Sequence, residues 1–382
     1  MRAVLLTLLL ASPAAAGPTL TDLGRALFFD PALSVNGTQS CAACHDPQSG
    51  FTSPDDRSSL NGGVVEGAIP GRFGNRKPPG IAYTYLSPPL HHVMDEGEPL
   101  FLGGAFWDGR ATGAVTGSVL ADQAMGPLLN PAEMAMPDAA AVVDAACAGH
   151  ADLSVLDPDA CTASTPDQAF ALIARALASY EASDEVNRFS SRYDGFVKRQ
   201  AALSAQEQAG LALFTTKAKC ANCHITDPGP NGEPALFTDF TYDNLGVPKN
   251  PANPAGADYA DPGLAPTLAA DPVYAPFAAA MLGKVKVPTL RNVDARARPD
   301  APRAYMHNGY FKTLEGVVRF YNTRDLWPVC ASDLPEAQAM ARRCWPAAET
   351  PGTVNHDELG NLGLTPADEA AVVAYMKTLT DR

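Results

Sequence analysis

The sequence predicts a mainly α-helical fold with little strand, built twice in tandem. Three observations carry that expectation. Gly24-Arg25-Ala26-Leu27-Phe28 and Gly210-Leu211-Ala212-Leu213-Phe214 share the same placing of glycine and phenylalanine. Each runs into a Cys-x-x-Cys-His pentapeptide, Cys41-Ala42-Ala43-Cys44-His45 and Cys220-Ala221-Asn222-Cys223-His224. Each half then closes on an apolar-periodic helix entered through Thr-Pro, from Thr165-Pro166 to about Ala182 and from Thr365-Pro366 to about Thr380. Proline suits a first helical turn, where its missing N–H has no partner to lose. Finally, 34 prolines and 31 glycines in 382 residues leave much irregular chain wrapped round a few helices.

Taken in order, Met1-Arg2, the apolar run Ala3 to Ala11 and Ala14-Ala15-Ala16 read as a secretory signal (residues 1–16), with cleavage expected after Ala16. The run is too short to cross a bilayer, and no later stretch is long and apolar enough, so no membrane span is expected. The first domain is placed at 17–195 and the second at 196–382. Between the helix ending near Ala182 and Ser204, the polar residues Asp184, Arg188, Ser190, Ser191 and Arg192 interrupt the apolar pattern. Ser204 with Glu207 forms a capping box for the helix that leads into the second pentapeptide.

The pentapeptides have a chemical meaning. Two thiols at this spacing add to the two vinyl groups on one edge of a haem, and the adjoining histidine becomes the proximal iron ligand. Cys41, Cys44 and His45 would hold one covalent haem c, and Cys220, Cys223 and His224 another. Zinc would need a second ligand pair near each motif, and none is evident. The fold expected is therefore two cytochrome c-like domains, each carrying one haem. A net charge of −14 argues against nucleic acid and anionic membranes. It leaves a periplasmic redox protein as the expected partner. The other four cysteines, Cys147, Cys161, Cys330 and Cys344, fall into two close pairs. Each pair could close a local loop worth about 3 kcal/mol, as suits the periplasm; free buried thiols are the alternative.

Longer motifs surround these. Phe106-Trp107-Asp108-Gly109-Arg110 precedes Gly126-Pro127-Leu128-Leu129-Asn130-Pro131-Ala132-Glu133-Met134. Pro288-Thr289-Leu290-Arg291-Asn292-Val293 and Tyr305-Met306-His307-Asn308-Gly309 follow the second pentapeptide. In that order they resemble the bacterial di-haem cytochrome c peroxidases and their relative MauG, which oxidises tryptophans of a partner protein. The resemblance covers nearly the whole chain after residue 16.

It implies hydrogen peroxide as substrate and a role for several residues. Trp107 would relay electrons between the haems, though a core aromatic is the plainer reading. Glu133 would move the proton that peroxide cleavage requires, with Gln123 and Pro127 lining the same pocket; a solvated residue at a helix start is the plainer reading. The stretch Glu66 to Asn75 holds no histidine where classical members plug the first iron, so the His45 haem is expected to keep an open position. His91 and His92, in an insertion, are expected to be structural.

At the second haem, the position where cytochrome-dependent members carry a ligating methionine falls on Tyr321, as in MauG. A phenolate would favour ferric and higher iron and let this haem store an oxidising equivalent; Met306 or Met340 remain alternative ligands. A calcium ion is also implied, on Asn75 and the carbonyls of Pro302 and Ala304. Ala218 stands where MauG has a tryptophan suited to electron exit, so the protein substrate is left open, and Trp327 or Trp345 are alternative exits. A peroxidase fed by a small redox protein and a non-catalytic di-haem electron carrier are the competing functions.

Overall fold

The computed structural model describes residues 18–54, 63–95, 97–162, 166–229, 232–254 and 259–382. The expected signal segment and Thr165 lie outside them. The fold is mainly helical. The principal helices are α1 (Leu20–Phe28), α2 (Cys41–Cys44), α3 (Val119–Leu129), α4 (Ala139–Gly149), α5 (Asp152–Leu156) and α6 (Pro166–Glu181). They continue with α7 (Arg192–Val197), α8 (Ala205–Phe214), α9 (Ala265–Ala269), α10 (Leu314–Thr323), α11 (Glu336–Arg342) and α12 (Pro366–Met376). Among the described residues strand is confined to two antiparallel pairs, β1 (His91–Asp95) with β2 (Glu98–Leu102) and β3 (Tyr242–Asp243) with β4 (Val285–Lys286).

The internal repeat is physical. α1 crosses α6 at Gly24, where an added Cβ would lie 1.8 Å from the Ala176 carbonyl oxygen and 3.1 Å from Tyr180 Cβ. α8 crosses α12 in the same way at Gly210, 2.0 Å from the Ala371 carbonyl oxygen and 2.8 Å from Tyr375 Cβ. Only glycine lets two helix backbones approach so closely. One turn later Phe28 packs on Tyr180 and Phe214 on Tyr375, with centroids 5.1 and 5.2 Å apart. The expected caps form: Ser204 with Glu207, and Thr365 with Asp368, make capping boxes. α12 ends at Met376 and continues as a 3₁₀ turn through Leu379, slightly short of the expected Thr380.

Among the described residues two large apolar cores form, with two small clusters beside them. The first runs from Leu23 to Val186 with Leu236 added; the second runs from Tyr193 to Leu379. A buried ion pair sits at the junction of the cores: Arg291 donates through both terminal nitrogens to Asp194, 3.0 and 2.8 Å. Its guanidinium also lies over Tyr83, Phe189 and Phe237, and bidentate geometry with aromatic stacking is specific to arginine. The Pro288–Val293 motif is thus a seam between the cores. Both cysteine pairs are disulfides, Cys147–Cys161 and Cys330–Cys344. The β1–β2 hairpin carries His91 and His92 in structural roles. His91 Nδ1–H faces the Pro89 carbonyl at 2.8 Å, and the His92 ring packs among Phe101, Tyr274 and Phe277. No described helix is long and apolar enough to cross a membrane.

Candidate haem sites

The four motif cysteines are the free ones, all half-buried. Burial holds them as neutral thiols, with Cys44 and Cys220 pushed up to about 12. The two histidines are clamped alike. His45 Nδ1 meets the Phe51 carbonyl at 3.2 Å and His224 Nδ1 the Phe237 carbonyl at 2.8 Å. Such a bond places the proton on Nδ1 and leaves Nε2 free to bind a metal. Burial pulls both imidazoles down to about 4, so each is neutral and ligand-ready. Phe51 and Phe237 carry positive φ, 58° and 54°, a strained conformation that recurs at the two clamps.

One continuous cavity joins Gly50, Thr52, Lys77 and Gly80 to Ala82, on the first core's side, with Cys220, Cys223, His224, Met306 and Tyr321 on the second's. Trp107 and Gln123 are in its wall. Trp107 is only 7% exposed; its Nε1–H donates to the Lys77 carbonyl at 2.7 Å and its ring meets His307 edge-on at 6.4 Å. Behind it stands a charged lattice. Arg76 pairs with Asp108 and Asp261, and His307 Nε2 faces Glu349 at 3.0 Å.

The lining is mixed in charge: Lys77, Lys219, Lys286, Arg291 and Arg303 reach it, and so do Asp243, Asp261, Glu349 and Glu358. Burial, aided by Arg303, holds the Lys77 amine well below its usual range. Lys286 is pulled down to about 7 by burial, against the opposing pull of Asp239. Arg291 and Arg303 at the edge of a largely apolar space match haem, an apolar macrocycle with two carboxylates. The motif thiols, the clamped imidazoles and this lining together fit two covalent haems.

Glu133 lies off the cavity wall, beside the first pentapeptide. α3 brings Gln123 and Pro127 onto one face, four residues apart, and its end is locked by Met134 N–H on the Pro127 carbonyl and Glu133 N–H on the Asn130 carbonyl. The Glu133 carbonyl accepts from Ala68 N–H at 2.7 Å. Gly67 permits this docking, since a Cβ there would lie 2.3 Å from the Ala132 carbonyl oxygen. Gln39 bridges the same segment to the motif, donating to Cys44 Sγ and the Glu66 carbonyl. Burial raises the Glu133 carboxyl above its ordinary value, partly opposed by Arg110 and an Asn130 hydrogen bond.

Tyr321, on α10, points into the cavity beside His224. Among the described residues its hydroxyl has one hydrogen-bond partner, the Met306 thioether at 3.8 Å. Met340 is not on the cavity wall. Asn75 is exposed, with its carbonyl accepting from Asn253 Nδ2 at 2.9 Å, whereas Ala304 is buried on the cavity wall. No cluster of three or more His, Cys, Asp or Glu side chains able to hold a metal occurs among the described residues.

The comparisons agree with this geometry. The family model of the di-haem cytochrome c peroxidases matches residues 18–202. The methylamine utilization protein MauG of Paracoccus denitrificans is 37% identical, covering 96% of this chain and 90% of that protein. The chain belongs to the di-haem cytochrome c peroxidase family. As such it is a peroxide-acting oxidoreductase with two haems c. The crystal structure of the diheme peroxidase BthA from Burkholderia thailandensis E264 superposes with a TM-score of 0.80 at 35% identity, covering 95% of this chain and 86% of that one. The cytochrome-c peroxidase IdrP2 of a Pseudomonas species (strain SCT) is 28% identical over 81% of this chain and 75% of its own. MauG-like and donor-fed peroxidases are thus both among the relatives of this di-haem peroxidase.

Sequence reasoning missed Lys77, Lys286, Arg303 and His307. Only His307 lay inside a quoted motif; a lysine becomes cavity-lining through long-range packing, which leaves no local signal.

Proposed function

We propose that this di-haem peroxidase uses peroxide at the His45 site to withdraw electrons from a periplasmic protein substrate, with Tyr321 as the second ligand of the His224 haem. When bound, the haems supply peroxide activation and one-electron redox capacity. Cys41, Cys44 and His45, and Cys220, Cys223 and His224, hold them, in cytochrome c-like domains at 17–195 and 196–382. Glu133 takes a proton from the incoming peroxide and returns it to the departing oxygen. Gln123 and Pro127 shape the approach, and Trp107 offers an indole through which an electron passes from one half to the other. One calcium ion at Asn75, Pro302 and Ala304 belongs to the same proposal, as does a periplasmic home, which the two disulfides support.

The observation that carries the reading is the Tyr321 hydroxyl. A half-buried phenol with only a thioether for company lacks a strong hydrogen bond, and desolvation pushes its pKa up. Iron opposite His224 would repair that deficit by taking the oxygen as an anionic ligand. Phenolate favours oxidised iron, whereas the neutral sulfur of Met306 favours ferrous iron and a simple electron-accepting haem. The test is Tyr321→Met beside Met306→Leu. The expected outcome is a higher potential and a changed optical spectrum for the second haem in Tyr321→Met alone. The reverse, a change in Met306→Leu alone, would transfer the assignment to the donor-fed peroxidase.

A further inference from the structure

We propose that the protein substrate gives up its electrons at Trp327, and that a stacked indole pair, Trp327 and Trp345, carries them to Tyr321. The inference deepens the preceding reading, because it places the surface point at which a protein partner is oxidised.

The sequence holds three tryptophans. Trp107 and Trp345 are 7% and 2% exposed, and Trp327 alone is half-buried, just beyond α10. Trp327 stacks on Trp345 with ring centroids 5.3 Å apart and planes 15° from parallel. Trp345 meets Phe320 edge-on at 5.2 Å, and Phe320 adjoins Tyr321 at 6.1 Å. Tyr321 is on the cavity wall with Cys220 and His224. Three ring-to-ring steps therefore join the second haem site to the surface, and the two outermost rings are indoles, among the most readily oxidised side chains.

The pair is held rigidly. Val329 and Trp345 form a parallel bridge, Cys330 N–H donates to the Trp345 carbonyl at 2.9 Å, and Trp345 N–H donates to the Pro328 carbonyl at 3.1 Å. The Cys330–Cys344 disulfide closes the same loop. Proton bookkeeping is simple. Trp345 Nε1–H donates to Thr323 Oγ1 at 3.1 Å, and that hydroxyl spends its own hydrogen on the Arg319 carbonyl at 2.7 Å. Threonine is no base, so Trp345 keeps its proton and the electron moves alone. The Arg343 guanidinium, 6.0 Å over the Trp327 ring, disfavours lasting positive charge there, so the hole passes onward. Leu326 and Val329 stand exposed beside Trp327 at 56% and 70%, an apolar rim for a docked protein.

Each transfer is balanced. The partner loses one electron to an oxidised Trp327, which has given its own electron to Trp345 and so toward the haem. Two such electrons and two protons reduce one peroxide to two waters.

The experiment uses the holoprotein with peroxide and no partner, so it does not depend on which donor is physiological. Peroxide consumption and oxygen addition to tryptophan, mapped by peptide mass spectrometry, are followed together. Wild type should accumulate oxidised Trp327. In Trp345→Phe that product should fall at least tenfold per peroxide consumed. In Trp327→Phe the oxidised holoprotein should persist several-fold longer. Consumption of peroxide with Trp327 intact, or equal Trp327 oxidation in Trp345→Phe, would each overturn the proposal.

Discussion

Around Cys41–His45 and around Cys220–His224 the chain builds the same holder and opposes it with different chemistry. Both histidines are clamped by the carbonyl of a positive-φ phenylalanine, and both pentapeptides follow a glycine-mediated helix crossing. Beside the first motif stand carboxyls, Glu133 and, at the end of α6, Glu181, both close enough to act on the Cys41 thiol. Beside the second stand carboxyls too, Asp239, Asp243 and Glu358 acting on the Cys223 thiol, but there a phenol, a thioether and the aromatic ladder leading outward are added. A proton-moving group belongs where an O–O bond is broken; an electron-rich ligand and an indole path belong where charge is stored and passed on. In the proposed function the shared holder binds the cofactor and the groups opposite it divide the labour.

The most severe way to break that contrast is His45→Gly. It should abolish the reaction with peroxide while leaving the optical spectrum of the second haem in place, as stopped-flow spectroscopy would report. Oxidation at the wild-type rate would reverse the assignment of the two sites.

Glu133→Gln keeps the shape and removes the base. Peroxide reaction should slow by about 10²–10⁴-fold, the usual worth of a positioned acid–base group. The sign of the pH dependence follows from the same side chain. A base acts as the carboxylate, so the wild-type rate should rise with pH through a midpoint above the ordinary glutamate value, because burial raises Glu133. In Glu133→Gln that limb should be flat.

A smaller effect sharpens the contrast between the cores. Glu181 is buried with Oε2 unpartnered, and burial lifts its carboxyl to about 8. The folded protein then holds a proton that the unfolded chain releases near 4.5. Its stability contribution is present below that value and is lost as pH rises through about 8. Glu181→Gln should remove this slope and gain on the order of a few kcal/mol at alkaline pH, measured by denaturant unfolding of the holoprotein. Glu369, the buried glutamate of the second core, is paired with Arg319 and Asn322. Glu369→Gln should lower stability instead.

Much of this was legible beforehand. Haem attachment could be read because thioether chemistry demands a fixed local spacing, and the helix starts because capping is a contact over three residues. The close approaches at Gly24 and Gly210 left a visible trace in the repeated glycine and phenylalanine. Tyr321 and Trp107 became candidates through resemblance, since no local rule marks a tyrosine as a ligand or an indole as a relay. Trp327 and Trp345 were visible only as neighbours of a cysteine loop.

The sequence alone therefore determined the two haem holders, the mainly helical character and the acidic charge, all of which depend on residue type and short spacing, while the two disulfides it left open were decided by the structure. Folding decided the rest. It brought Glu133 near the first motif's thiols through the docking of Gly67 and Ala68, brought Lys77, Lys286 and Arg303 to one cavity, left the Tyr321 hydroxyl facing a thioether, and stacked Trp327 on Trp345. Those contacts join residues far apart in the chain, so their energies exist only once the cores have packed.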